Sequence, residues 1–191
     1  MKKPVMLFFL ALILILPRQA LGYSLFFNLS EPVIGLNETT EASVWISGLG
    51  DQTPPNLGAY DLEIGYDPNV LRYDSLTFSS YLGYPGNSLS SFEIKNPGTL
   101  AIVEVSLLLN GALEALQPGT FPLMSLQFTM TALENSTLRF LRANLSDGDG
   151  YPLYADLQSA TVYAVPIPSS LLLLSGAVLS LGAWRRKRFK A

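Results

Sequence analysis

Few side chains of this chain could do chemistry, because its 191 residues include neither histidine nor cysteine. This composition excludes imidazole general bases, Ser-His and Cys-His nucleophiles and thiolate metal sites. Among the carboxylates, Asp61 and Glu63 lie two residues apart in an alternating segment, which places their Cα atoms about 6.5–7 Å apart on one strand face. That spacing overlaps the carboxyl separation of inverting glycosidases. Exposed strands offer such pairs routinely, so we interpret them as a solvated face and predict no enzyme activity.

A second group of oxygen ligands surrounds the segment Asp147-Gly148-Asp149-Gly150, with Asn144 before it and Asp156 after it. Calcium prefers carboxylate and carbonyl oxygens. The segment has no glutamate at the closing position of an EF-hand loop, and glycine-rich turns of this composition also form for conformational reasons alone. Two interpretations therefore stay open, a plain turn and a structural calcium site at Asp147, Asp149 and Asp156. No other cofactor is expected.

Aromatic side chains near predicted turns are candidates for stacking against sugar rings, since such binding needs exposed ring faces beside polar groups. One further ring falls on the polar side of a predicted strand. Aromatic residues of a β-sandwich also serve as core or edge cover, which is the competing interpretation. The candidates are Trp45, Tyr81, Tyr84, Phe92, Tyr151 and Tyr154.

The elements that must position these residues alternate with period two and contain little helix. In Ala42 to Gly48, for example, Val44 and Ile46 oppose Trp45. Turn residues separate the segments, and many short strands without alternating helices favour an all-β sandwich or jelly roll. Only Gly111 to Leu116 reads as a helical turn. The other predicted strands are 59–67, 71–78, 90–95, 99–108, 121–131, 137–143 and 158–165.

The N-terminus has the pattern of a secretory signal peptide. Lys2 and Lys3 precede an apolar run, and Ala20-Leu21-Gly22 supplies a small-x-small cleavage site. We predict a signal peptide over residues 1–22, cleaved after Gly22, and an exported domain over residues 23–164. Much of the basic content lies at the two ends of the chain, so the domain is acidic, which argues against a nucleic-acid partner.

The C-terminus predicts one transmembrane helix over residues 169–184, with the basic tail after it in the cytoplasm. Val165-Pro166-Ile167-Pro168, the apolar run and Arg185-Arg186-Lys187-Arg188 resemble the PEP-CTERM sorting signal of Gram-negative bacteria. Ile167 stands where that family has Glu, which is closer to its VPLPA variant. The resemblance implies that residues 165–191 are handled at the inner membrane by an exosortase-like enzyme before the protein reaches the cell surface or the medium. A plain single-pass anchor is the alternative.

The central domain resembles the cohesin family. Gly58 to Leu71, which contains Tyr66-Asp67-Pro68, is followed in family order by Gly98-Thr99-Leu100, Leu126-Gln127-Phe128 and Asp147-Gly148-Asp149-Gly150. The resemblance implies a jelly-roll sandwich of about nine strands, related to carbohydrate-binding modules. It also implies a partner-binding role for Asp61 and Glu63, because Asp61 falls where several cohesins have a recognition aspartate. Ala59 replaces the family's asparagine.

These patterns together predict a non-enzymatic, exported protein of the cell envelope or extracellular matrix, with a cohesin-like module for adhesion to a surface protein or polysaccharide. The alternative within binding is a carbohydrate-binding module for exopolysaccharide. The alternative from another class is a carboxylate glycosidase.

Overall fold

The computed structural model describes residues 22–165, which form a two-sheet β-sandwich. Nine of its strands have five residues or more, and three are shorter. The strands are β1 (Tyr23–Leu29), β2 (Val33–Ile34), β3 (Thr39–Ser47), β4 (Ala59–Gly65), β5 (Leu71–Phe78), β6 (Ser88–Asn96), β7 (Thr99–Ser106), β8 (Thr120–Met130), β9 (Ser136–Ser146), β10 (Pro152–Leu153), β11 (Ala155–Leu157) and β12 (Ala160–Ala164), with one helix, α1 (Asn110–Leu116).

One sheet has five strands in the order β11-β1-β3-β8-β5, and the other has the order β2-β12-β9-β4-β7-β6 with β10 added beside β9. Most neighbours are antiparallel, but β1 pairs in parallel with β11, and β2 in parallel with β12. Tyr23, at the start of β1, lies opposite Ala155, and Val165, just after β12, donates its N–H to the Ile34 carbonyl. The two ends therefore lie at opposite ends of the sandwich.

Alternating side chains build the core between the sheets, as period-two segments require. In β3, Ala42, Val44 and Ile46 are fully buried while the residues between them face outward. In β4, Leu62 and Ile64 are likewise fully buried. Register shifts interrupt the pairing of β3 with β8, between Val44 and Trp45, and the pairing of β4 with β9, between Glu63 and Ile64.

The all-β sandwich predicted from the sequence is confirmed, and the predicted strand over residues 71–78 has the bounds of β5. The helical turn is α1, which starts one residue earlier than predicted. Strand β1 and the short strands β2, β10 and β11 were not predicted. In β1, adjacent Phe26 and Phe27 interrupt the simple alternation of apolar and polar residues, although only Phe27 points into the core.

Gln117 joins two loops inside the sandwich and is itself buried. Its side-chain Oε1 accepts the Leu57 N–H at 2.7 Å, while Nε2 donates to the carbonyls of Leu57 at 2.8 Å and Tyr81 at 3.0 Å. One amide side chain thus satisfies three backbone groups that have no strand partner, which holds the β3–β4 loop against the segment after β5.

The Tyr66-Asp67-Pro68-Asn69 segment forms the turn after β4, and hydrogen bonds between residues close in sequence hold this turn. Asp67 Oδ1 accepts the Asn69 N–H at 2.9 Å, and the Asp67 carbonyl accepts the Leu71 N–H at 2.9 Å. Gly98, in the β6–β7 turn, packs directly against this segment, because the Tyr66 N–H donates to its carbonyl at 2.9 Å.

The predicted signal peptide, apart from Gly22, and the sorting segment from Pro166 onward lie outside the described residues, as does the predicted helix over 169–184. Cleavage-site Ala20 and the basic cluster from Arg185 to Arg188 are among them. Val165 is described and follows β12 with an exposed side chain. Within residues 22–165, the single helix is too short and too polar to be a membrane-spanning segment.

Candidate functional site

The outward surface of β6, β7, β4 and β9, which we call the four-strand face, brings Asp61 and Glu63 together with residues from distant parts of the chain. Asp61 lies opposite Val103 of β7 and Asn144 of β9. Glu63 lies opposite Ala101 and Arg142. Residues that are directly opposite in paired strands point to the same face, so the register fixes this grouping.

Arg142 is the centre of an ion network on the four-strand face. Its Nη2 atom lies 2.7 Å from Asp61 Oδ1 and 3.1 Å from Glu63 Oε1. Lys95 Nζ donates a hydrogen bond to Glu63, and Asn144 Nδ2 donates to Asp61 Oδ2 at 3.4 Å. Asp61 and Glu63 lie on the same strand and share the guanidinium of Arg142. They therefore do not face each other across a cleft as a glycosidase pair does.

The four-strand face also concentrates positive charge. Residues 23–164 carry fifteen carboxylates and only four cationic side chains, namely Arg72, Lys95, Arg139 and Arg142. Three of the four cations, all except Arg72, belong to β6 and β9 of this face. The face is therefore a mixed-charge surface on an otherwise acidic domain, and it can recognise a ligand through both signs of charge.

An apolar strip borders the network. Val105 lies opposite Leu89 of β6 and Ala59 of β4, and the side chains of Val105 and Leu89 are 39% and 64% exposed. Val103 continues the strip toward Asp61. A shallow depression of about 200 Å³ lies between these valines and Asn144. Exposed apolar side chains beside ion pairs are arranged as in the core and rim of a protein interface.

The carboxylates predicted as calcium ligands have separate surroundings. Asp147 Oδ1 accepts the N–H groups of Asp149 and Tyr151 at 3.0 and 2.8 Å, and Asp149 Oδ1 accepts from Asn110 Nδ2 at 2.5 Å. Asp156 lies on β11. Across residues 22–165 no three acidic side chains are grouped closely enough to hold a metal ion, and the calcium interpretation stays a prediction. The plain-turn interpretation explains the segment.

The six predicted sugar-stacking residues do not form one platform. Tyr81 and Phe92 are partly occupied by neighbours, since Tyr81 lies 4.8 Å from Phe121 and Phe92 5.2 Å from Tyr73 between ring centroids. Tyr84, Tyr151 and Tyr154 are 61%, 69% and 83% exposed and lie in separate connections between strands. Trp45 lies in β3 of the five-stranded sheet, where its ring stacks on that of Phe26.

Sequence reasoning missed Glu104, a carboxyl that points inward from β7. It is almost completely buried, and the Tyr60 hydroxyl donates to its Oε2 at 2.7 Å. Burial raises the pKa of Glu104, and the hydrogen bond from Tyr60 offsets part of that rise. Burial and the neighbouring carboxyl raise the pKa of Tyr60 as well. The alternation of Leu100, Ile102 and Glu104 in β7 is the signal that places this carboxyl inside.

No family model and no curated protein matches the chain. A type II cohesin domain from the cellulosome of Acetivibrio cellulolyticus superposes with a TM-score of 0.62 at 18% identity, over 74% of this chain and 95% of that one. The type I cohesin–dockerin complex from Clostridium thermocellum gives a TM-score of 0.62 at 13% identity, over 75% and 99%.

A third similar structure comes from outside the cellulosome. The non-cellulosomal cohesin of the hyperthermophilic archaeon Archaeoglobus fulgidus gives a TM-score of 0.58 at 16% identity, over 78% of this chain and 95% of that one. Identities this low establish the architecture alone. The described part of the chain therefore has a cohesin-like β-sandwich fold.

Proposed function

We propose that residues 23–164 form a non-catalytic binding module whose protein partner docks on the four-strand face. The observation that carries this proposal is the apolar strip of Leu89, Val103 and Val105 beside the ion network of Arg142. The strip supplies apolar area that a partner can cover, and the network supplies charges that orient the partner and reject mismatched surfaces.

Solved structures with the same fold support a protein as the partner. They include complexes of a cohesin with a dockerin from Acetivibrio cellulolyticus and from Clostridium thermocellum. A dockerin module is thus one specific candidate for this chain. Its Ala59, beside Val105, leaves the face without the family's asparagine, so another surface protein with complementary charges is the second candidate.

A Val105→Asp substitution is expected to weaken binding of that partner at least tenfold, about 1.4 kcal/mol. The substitution places a charge in the middle of the apolar strip, where a bound partner would bury it without a counter-ion. The assay immobilises the full chain and exposes it to purified type I and type II dockerin modules and to envelope proteins of the native host. Captured proteins are identified by mass spectrometry and their affinities are then measured.

Thr77→Asp is the matched control, because it adds the same charge to an exposed outward position of β5 on the other sheet. It should leave capture unchanged. Equal capture by wild type and Val105→Asp, or equal loss with Thr77→Asp, would contradict docking on the four-strand face. Circular dichroism of both variants establishes that the sandwich has folded.

We propose further that the module is exported and sorted. The support is the signal-peptide pattern of residues 1–22 and the PEP-CTERM-like pattern of residues 165–191, which place the module beyond the inner membrane and offer the tail to an exosortase-like enzyme. Mass spectrometry of the protein from its native host should find Tyr23 at the N-terminus and a C-terminus that lacks the basic cluster. A protein that still begins at Met1 would contradict signal cleavage. A protein that still ends at Ala191 would contradict processing of the tail.

A further inference from the structure

The outward surface of the five-stranded sheet carries three ring-bearing residues in one line across the strands. Phe26 of β1 lies opposite Trp45 of β3, and Trp45 lies opposite Pro122 of β8. We call this line the ring row. All three residues are partly exposed. The row crosses two strand spacings, about 10 Å, which is room for two linked sugar rings.

The rings of Phe26 and Trp45 are nearly parallel, with an interplanar angle of 19° and centroids 6.5 Å apart. The two rings therefore stack on each other and form one continuous apolar surface. Trp45 Nε1 is buried and has no hydrogen-bond partner among residues 22–165, so the exposed part of the indole is its apolar carbon surface. The row thus offers ring surface rather than polar atoms along its length.

Hydroxyl and amide side chains flank the ring row on both sides. Toward one end of the strands lie Ser24, Ser47 and Thr120, which are opposite one another in β1, β3 and β8. Toward the other end lie Asn28, Ser43, Ser125 and Thr77, in register across β1, β3, β8 and β5. These seven side chains are uncharged. Carboxylates adjoin them, with Asp156 opposite Ser24 and Glu41 beside Ser43, so both flanks offer uncharged donors and acceptors beside an apolar line and disfavour an anionic ligand.

The hydroxyls nearest the row are already oriented. Ser43 and Ser125 lie 3.1 Å apart between their Oγ atoms, and both donate to Oε1 of exposed Glu41, at 3.2 and 2.7 Å. Fixing these rotamers before a ligand arrives lowers the entropic cost of binding. Arg72, the one cation on β5, is engaged by Asp74 at 2.8 Å. The two outer faces of the sandwich thus differ, because Arg72 is the one cation among residues 23–164 that lies on the five-stranded sheet.

We propose that the ring row and its flanking polar side chains bind a neutral polysaccharide that lies across the strands. A pyranose ring has flat C–H faces and an equator of hydroxyl groups, so it matches an apolar line with uncharged donors and acceptors on either side. The rings of Phe26 and Trp45 contact the sugar faces, while Asn28, Ser43 and Ser125 bind the hydroxyls. This site is on the opposite sheet from the four-strand face and does not depend on the protein partner proposed for it.

The test is native gel electrophoresis of the full chain, in mild detergent, through gels that contain hydroxyethylcellulose, mixed-linkage β-glucan or galactomannan as neutral probes and alginate as the anionic one. The neutral gels are expected to retard the wild type. Trp45→Ala should weaken this retardation at least tenfold, and Trp45→Phe should restore part of it because it keeps a ring. Titration with cellohexaose measures the same change in solution.

Two controls make the outcome specific. Tyr163→Ala removes a more exposed aromatic ring from β12 of the other sheet and should leave retardation unchanged. Val105→Asp disturbs the four-strand face and should also leave it unchanged, so failure of one site is distinguishable from failure of the other. The proposal is overturned if no neutral polysaccharide retards the wild type, if only alginate does, or if folded Trp45→Ala migrates like the wild type.

Discussion

Replacing Gln117 by leucine is expected to lower the free energy of unfolding by about 3 kcal/mol. The leucine has similar volume but removes three hydrogen bonds, and it strands the Leu57 N–H and the carbonyls of Leu57 and Tyr81 in the interior. Each unsatisfied buried group costs about 1–3 kcal/mol, partly relieved by local movement. In a domain of this size the melting temperature should fall by roughly 10 °C. Urea denaturation followed by circular dichroism measures the change.

Gln127→Leu is the matched control for that substitution. Gln127 is exposed on the outward side of β8, and its side chain accepts one hydrogen bond, from Ser75 at 3.3 Å. Its loss should cost less than about 0.5 kcal/mol, as for most surface positions. Equal destabilisation by the two substitutions would mean that the buried bridge between the loops contributes no more than an exposed amide.

Gly98→Ala is the second change with a large expected effect, again about 3 kcal/mol of lost stability. Gly98 has φ +85°, a left-handed conformation that costs other residues roughly 1–2 kcal/mol. In addition, a Cβ atom there would lie 2.6 Å from the Tyr66 carbonyl oxygen and 2.8 Å from Pro68 Cδ. The β6–β7 turn would have to move away from the Tyr66 turn, which breaks the hydrogen bond between Tyr66 and Gly98.

Gly86→Ala separates the two causes. Gly86 has φ +100° in the loop between β5 and β6, but nothing lies within 4 Å of a Cβ added there. This variant should therefore lose only the conformational part, about 1 kcal/mol. If thermal unfolding shows equal losses for both variants, the close approach between the two turns is not a source of stability.

The half-buried strands could be predicted because their alternation is set by burial and needs no knowledge of neighbours. Period two in residues 59–65 places Leu62 and Ile64 inside and Asp61 and Glu63 outside, as the structure has them. β1 was missed because Phe26 and Phe27 are adjacent. Their opposite directions become meaningful only once β1 is paired with β3.

The contacts of the candidate sites could not be predicted, because they depend on register between distant strands. Asp61 and Arg142 are 81 residues apart, and a slip of one residue in β9 would turn Arg142 toward the core. The ring row likewise depends on the register between β1, β3 and β8. The calcium interpretation has a different basis, since it infers a shared ligand from proximity in sequence. In the structure, Asp147 Oδ1 accepts hydrogen bonds from two backbone N–H groups of its own turn.

The positions of Tyr23 and Val165 at opposite ends of the sandwich determine how the domain carries tension. Strand β1 runs parallel to its neighbour β11, and β12 runs parallel to its neighbour β2, so a pull between the two ends acts along the strands. Hydrogen bonds in antiparallel pairs are perpendicular to the strands, and such a load therefore shears many of them together rather than unzipping them one by one. A sandwich tethered at one end and pulled from the other resists stretching with whole sheets.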